Sequence, residues 1–231
     1  KIMSILEAIQ TTLPKYEVVI PSTGSKTTFR PFLMKEQRVL MMADPEKSSE
    51  MLLAIAAVVE NCVDNVNDAK KIPMHDLEYL FCQIRSKSVS EMVEPIFTCP
   101  ETGENIKIGI DLTKIDISRG NPASEIKIND EITFHMRSPM VRDYVEENNT
   151  DFDSILSHCI EKIVVKDEVY EGVSLTATEK ETILENLTKD QYYKVQDYLL
   201  EQPKITIDAP YRTSDGTERS IKLEGMKDSF R

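Results

Sequence analysis

The sequence predicts an α+β fold: helices packed with several β-hairpin ribbons, in two lobes, with no large parallel sheet. Three observations predict it. Short β-branched runs such as YEVVI (16–20) and NIKIGIDL (105–112) alternate with period two, the mark of strands with one buried face. Longer stretches carry apolar residues at helical spacing. The strands come in adjacent pairs across short turns, as hairpins do.

Taken in order, Ile2, Ile5, Leu6 and Ile9 share one face of a short amphipathic helix, ordered alone or against a partner. The segment lacks the unbroken apolar stretch and small-residue cleavage site of a signal peptide, so the expectation is a protein made and kept in a cytoplasm. Residues 16–20, a Pro21–Ser25 turn and Lys26–Phe32 form the first hairpin. Met34–Met42 reads as a helix. Asp44-Pro45 reads as a helix start, since Asp caps and Pro fits the first helical position, and that helix runs to about Val63. Pro73 opens a third helix to about Arg85, burying Leu77, Leu80, Phe81 and Ile84. Pro95–Leu112 is a second ribbon, turning at Pro100–Glu104.

Ser118–Ser124 is the best linker, so the lobes are expected at 1–120 and 121–231 with a seam near Gly120. The second half opens with a hairpin across Asn129-Asp130, then a short helix after Ser138-Pro139. Phe152–Val165 reads as one helix with Ile155, Leu156, Cys159, Ile160 and Ile163 on one face. Two capping boxes follow, Thr176 with Glu179 and Thr188 with Gln191. Lys204–Ala209, a turn over Pro210–Thr217 and Glu218–Leu223 make a last ribbon. It repeats the outline of the one at 94–112, each following a helix, and the spacing leaves open whether the two pack together.

Composition narrows the function. A net charge of −12 without a basic block argues against binding phosphate backbones. No apolar run approaches the roughly 20 residues that cross a bilayer, so no membrane insertion is expected. The four cysteines are scattered with no Cys-x-x-Cys pair, and Cys62, Cys82 and Cys159 sit among helical apolar residues as small buried hydrophobes. The CPETG turn at Cys99–Gly103 has the look of half a zinc knuckle, but three of the four ligands are missing and the matching turn near Pro210–Gly216 has neither Cys nor His. It reads as a plain turn. His75, Asp76 and Glu78 lie at a helix start, where carboxylates suit the helix dipole. His158 and Cys159 are adjacent on a helix and point apart. The seven glycines are dispersed, so there is no phosphate loop. No catalytic, cofactor-binding or metal-binding residue is assigned, and the chain is expected not to be an enzyme. A metal- or thiol-dependent hydrolase is the rival reading from another class. The ten methionines suit either core filling or adaptable docking surfaces.

The order of elements from Tyr16 to Leu112 resembles the baseplate hub subunit family of T-even-type contractile-tailed bacteriophages. The resemblance rests on FRPFLMKEQRVLMMA (29–43), IPMHDLEYLFCQIRSKSVSE (72–91), CPETGENIKIGIDL (99–112), LTKDQYYKVQDYLLEQPKI (187–205) and LEGMKDSF (223–230), and is weakest at 114–150. It implies a non-enzymatic virion protein of the tail baseplate, assembled in the host bacterial cytoplasm. Its implied partners are other tail and baseplate hub proteins, with the tape-measure protein as a further candidate. It implies equally a hub-assembly chaperone absent from the mature virion. The candidate contact residues are Phe29, Arg30 and Phe32 after the first hairpin, and Arg85 and Lys87 after the third helix.

Overall fold

The structure, a computed structural model, describes residues 2–118, 120, 122–145 and 151–225. The end of the LEGMKDSF pattern and the side chain of Leu6 lie outside that set. Helix α1 spans Ile2–Thr11. Strands β1 (Tyr16–Val19) and β2 (Lys26–Phe29) form the first hairpin, with Tyr16 opposite Phe29. Helix α2 is Met34–Met42 and α3 is Ser48–Cys62. Asp44-Pro45 precedes α3 without capping it. The Asp44 side chain accepts the Glu46 amide at 3.0 Å and its carbonyl accepts the Lys47 amide at 3.1 Å, an Asx-type turn that uses up the capping group before the helix begins. Helix α4 is Met74–Ser88. Short strands β3 (Met92–Val93), β4 (Ile96–Thr98), β5 (Asn105–Lys107), β6 (Ile110–Asp111) and β7 (Asp116–Ile117) follow.

Next come β8 (Glu125–Lys127) and β9 (Ile132–Met136), joined by a turn in which the Asn129 side chain accepts the Glu131 and Ile132 amides. Helix α5 is Val141–Val145, α6 is Phe152–His158, β10 is Ile160–Val165 and β11 is Glu168–Glu171. The single helix expected over 152–165 is therefore a helix and a strand. The β9–β10 register shifts between Ile160 and Lys162. That bulge lets Ile160 and Ile163, three residues apart, both turn inward, which copies helical spacing in a strand. Helices α7 (Ala177–Glu185) and α8 (Lys189–Leu200) each begin with the expected capping box. Strands β12 (Ile205–Arg212) and β13 (Glu218–Glu224) close the chain. Pro210 lies in β12 and not in the turn. It sits beyond the reach of β7, which pairs only with Ile205 and Thr206, so its missing N–H leaves no bond unmade there.

The pairings are all antiparallel, in small sheets: β1–β2, β3–β6, β4–β5, β13–β12–β7 and β11–β10–β9–β8. The fold is α+β. Among the described residues, no helix is long and apolar enough to cross a membrane.

By its own contacts the chain forms two compact units: Lys1–Ala69, His75–Ser118 and Lys204–Arg231 in one, Lys70–Met74 and Arg119–Pro203 in the other. This differs from consecutive lobes meeting near Gly120. The C-terminal ribbon belongs to the first unit because β12 pairs with β7, and because Ile205, Ile207, Ala209 and Leu223 share one apolar core with Cys82, Ile108, Ile110 and Leu112. The second unit closes around Phe134, Met136, Leu156, Cys159, Ile160, Leu184 and Val195. Each unit buries its own core, the dominant favourable term in folding.

Candidate interaction surface

Phe29, Arg30, Phe32 and Lys87 lie near one another in the first unit. Phe29, 2% exposed, ends β2 and stacks at 5.6 Å on Tyr16. Lys87, in the last turn of α4, lies over the other aromatic of that pair, 5.6 Å from the Tyr16 ring centre, and pairs with Glu91. The half-buried Phe32 anchors its amide on the Ser88 hydroxyl at 2.9 Å. Arg85 is half-buried in the same last turn of α4, where a cation suits the helix dipole. Phe29 is thus core, whereas Phe32 and Lys87 are half-buried.

Arg30 works from beneath. Its guanidinium donates to Glu36 at 2.9 Å, to the Asn61 carbonyl at 2.8 Å and to the Pro31 carbonyl at 3.0 Å. Glu36 also accepts the Leu33 amide at 2.7 Å. Burial opposes ionisation of Glu36, but the Arg30 guanidinium and the Leu33 amide outweigh it and hold the carboxyl below its usual range.

This clasp has a twin in the second unit. Arg137 follows β9 as Arg30 follows β2. It donates to Asp143, six residues on, at 2.6 and 2.8 Å, and to the Ser138 carbonyl at 3.2 Å. Asp143 accepts the Met140 amide at 2.7 Å, and its carboxyl is likewise held low against the opposing effect of burial. The Arg30 amide donates to the Cys62 carbonyl at 2.9 Å; the Arg137 amide donates to the Cys159 carbonyl at 2.8 Å. Phe29 pairs with Val63, and Met136 with Ile160. Hairpin, arginine, two helices, buried cysteine and an antiparallel return, a single bridge at Val63 and the strand β10 at Ile160, therefore occur twice in one chain. The spacing Arg-x5-acid was visible at 30–36 and 137–143, but it means nothing until the strands and helices around it are seen to match.

Helices α2 and α1 each expose apolar side chains. Met34, Val39, Met41 and Met42 of α2 are exposed, with Met41 at 75% and Met42 at 85%. So are Ile2, Met3, Ile5 and Ile9 of α1. Sequence reasoning named α2 as a helix and did not find this face, because five apolar residues in nine read equally well as core.

The two ribbons of the first unit meet tip to tip. The Ser214 amide donates to Glu104 at 3.1 Å, Arg219 pairs with Glu101, and Phe97 meets Tyr211 edge-on at 5.8 Å. Cys99, 1% exposed, lies 3.4 Å from the Tyr211 hydroxyl. Hydrogen bonds from the Thr102 and Tyr211 hydroxyls draw its thiol below the ordinary value. Burial instead pushes the thiols of Cys62, Cys82 and Cys159 up to about 11, 12 and 12. Ion pairs and hydrogen bonds join the two turns. Asp76, 1% exposed, accepts the Ser22 amide at 2.9 Å and its hydroxyl, tying the first hairpin's turn to α4. Among the described residues, no three His, Cys, Asp or Glu side chains are arranged to hold a metal ion. In the second unit, a cleft of about 620 Å³ is lined by Asp151, Asp153, Glu181, Glu185, Tyr192 and Tyr193.

The family model described as T4 bacteriophage base plate protein matches residues 13–231. The chain belongs to that family. No curated protein and no solved structure matches it. As a T4-type base plate protein, its place is the tail baseplate of the virion and its neighbours are other phage tail proteins. Such structural families are generally non-enzymatic. Exposed apolar side chains on α1 and on α2, methionines among them, are of the adaptable kind that suits contact with a neighbour.

Proposed function

We propose that this base plate protein is a non-enzymatic structural subunit of the baseplate hub, acting through protein–protein contacts. The observation that carries the reading is a base plate family match over residues 13–231 in a chain whose helices α1 and α2 each expose several large apolar side chains. Phe32 and Lys87 are the proposed contacts, with Arg85 from the same helix turn as Lys87. Phe29 and Arg30 support them by fixing the loop after β2. The reading takes the protein to be folded in the host cytoplasm before it joins the tail, with hub proteins as partners and the tape-measure protein as the next candidate.

Exposed Met34, Met41 and Met42 favour one second reading, a hub-assembly chaperone that leaves before maturation, because flexible methionine surfaces suit transient partners. Quantitative mass spectrometry of purified mature tails beside assembly intermediates separates the two. A fixed stoichiometric copy number in mature tails supports the hub subunit. Presence in intermediates alone supports the chaperone, and absence from both overturns each.

A further inference from the structure

The duplicated motif contains a docking place that is filled in one copy and open in the other. In the second unit, Ile72 and Pro73, between the 3-10 turn Ala69–Lys71 and the first residue of α4, lie against the start of α5. Pro73 bridges antiparallel to Met140, the Met74 amide donates to the Pro139 carbonyl at 3.3 Å, and the Val141 amide donates to the Ile72 carbonyl at 3.1 Å. Val141 is 0% exposed. The two bonds come from the residues flanking Pro73, so a proline fits at the centre without losing a donor.

The equivalent positions in the first unit follow from the shared clasp. Leu33 stands where Met140 stands, since each amide donates to the carboxylate six residues beyond the arginine. Phe32 then matches Pro139 and Met34 matches Val141. Here Met34 is 61% exposed, and among the described residues no hydrogen bond reaches the Phe32 carbonyl or the Met34 amide. Lys35 is exposed and pairs with Glu36 at 3.4 Å, while the exposed Arg38 stands one turn on from Met34, on the same face. Positive charge at this spot contrasts with the net −12 of the whole chain.

We propose that Phe32–Met34 is a docking site for a short segment of another baseplate polypeptide that makes the same single antiparallel bridge. The segment pairs with Leu33 as Pro73 pairs with Met140. It takes the Phe32 carbonyl and the Met34 amide, covers Met34 with an apolar side chain, and carries acidic residues toward Arg38. Proline is tolerated at its centre. This deepens the contact reading of Phe32 and rests on it for the identity of the partner, while the site itself rests on the internal copy.

The test uses the full chain with 13C-labelled methionine methyl groups, titrated with the synthetic peptide acetyl-Glu-Glu-Ile-Pro-Leu-amide. The expected result is a saturable shift of the Met34 methyl, with Met41, Met42 and Met92 unmoved. Binding should be at least about tenfold weaker to an Arg38→Glu variant, and weaker for a peptide with Lys-Lys in place of Glu-Glu. Both Arg38 and Met34 are exposed, so the Arg38→Glu and Met34→Asp variants should fold, and Met34→Asp should abolish binding. No shift at Met34, or equal shifts at all four methionines, overturns the proposal. The tail copy number is read separately: a protein that binds the peptide but is missing from tails and intermediates overturns the baseplate reading and leaves the docking site standing.

Discussion

The Arg137 guanidinium grips the Asp143 carboxylate with both terminal nitrogens, at 2.6 and 2.8 Å, and Asp143 spends one of the same oxygens on the Met140 amide. One buried carboxylate thus fixes the end of β9 and the start of α5 together. Removing it leaves a largely buried guanidinium without its counter-charge. Asp143→Ala is expected to lose about 3–5 kcal/mol of stability in urea unfolding. Glu36→Ala should behave alike, since Arg30 and Glu36 make the same clasp. Equal stability of Asp143→Ala and the parent would show that the clasp is not what holds the α5 start.

Acid should unfold the protein through the same pair. Glu36 and Asp143 titrate lower in the folded chain than in the unfolded one. Between the two values the unfolded chain binds more protons, so their stabilisation is complete above the unfolded carboxyl range of about pH 4 to 4.5 and falls away as the pH drops through the folded values. Thermal midpoints measured from pH 6 down to pH 2.5 should fall steeply below about pH 4. Replacing Glu36 and Asp143 together by Gln and Asn should flatten that fall.

Thiol reactivity should single out Cys99. Thiolate is the reacting form, and only Cys99 among the four has its thiol drawn below the ordinary value; the others are pushed up by burial. All four are buried, so labelling waits on local opening. Timed iodoacetamide labelling read by peptide mass spectrometry should find Cys99 modified first. Tyr211→Phe should slow it by removing one of the stabilising hydroxyls.

Two glycines should respond very differently to alanine. Gly216, at the tip of the β12–β13 turn, has a positive φ of 83° and open space where a Cβ would stand, so Gly216→Ala should cost about 1 kcal/mol for the backbone alone. A Cβ on Gly172 would stand 2.2 Å from the Ile160 carbonyl oxygen and 2.7 Å from that of Glu161. Backbone cannot yield as a side-chain tip can, so Gly172→Ala should cost about 1–3 kcal/mol or more and disturb β10. Urea unfolding of both variants gives the comparison.

Much of the local structure was legible because local chemistry decides it. The capping boxes at Thr176 and Thr188 start α7 and α8 where the sequence placed them, since side chain and amide lie three residues apart whatever the rest of the chain does. The Asn129-Asp130 hairpin and the period-two strands formed for the same reason. The reading failed over 152–165, where a bulge paired with β9 made a strand imitate helical spacing. It failed again at Pro210, whose place in β12 depends on how far β7 reaches.

The candidate site was less legible. Phe29, Arg30, Phe32, Arg85 and Lys87 were chosen as neighbours along two separate stretches, and which of them faces solvent is set by packing. Phe29 is held inward by Tyr16, and Arg30 is committed to Glu36 and the Asn61 carbonyl, 31 residues away.

By itself the sequence determined the fold class, the helices with their caps, the hairpins and the acidic character, all carried by interactions within a few residues. Tertiary structure alone decided that the C-terminal ribbon joins the first unit and that two distant turns meet at Cys99. It alone showed that one arginine–carboxylate clasp is built twice. Those facts rest on pairings across tens to more than a hundred residues, such as Glu104 with Ser214. Such pairings form only where a buried core repays the entropy of closing so long a loop, and no local pattern records which closures are repaid.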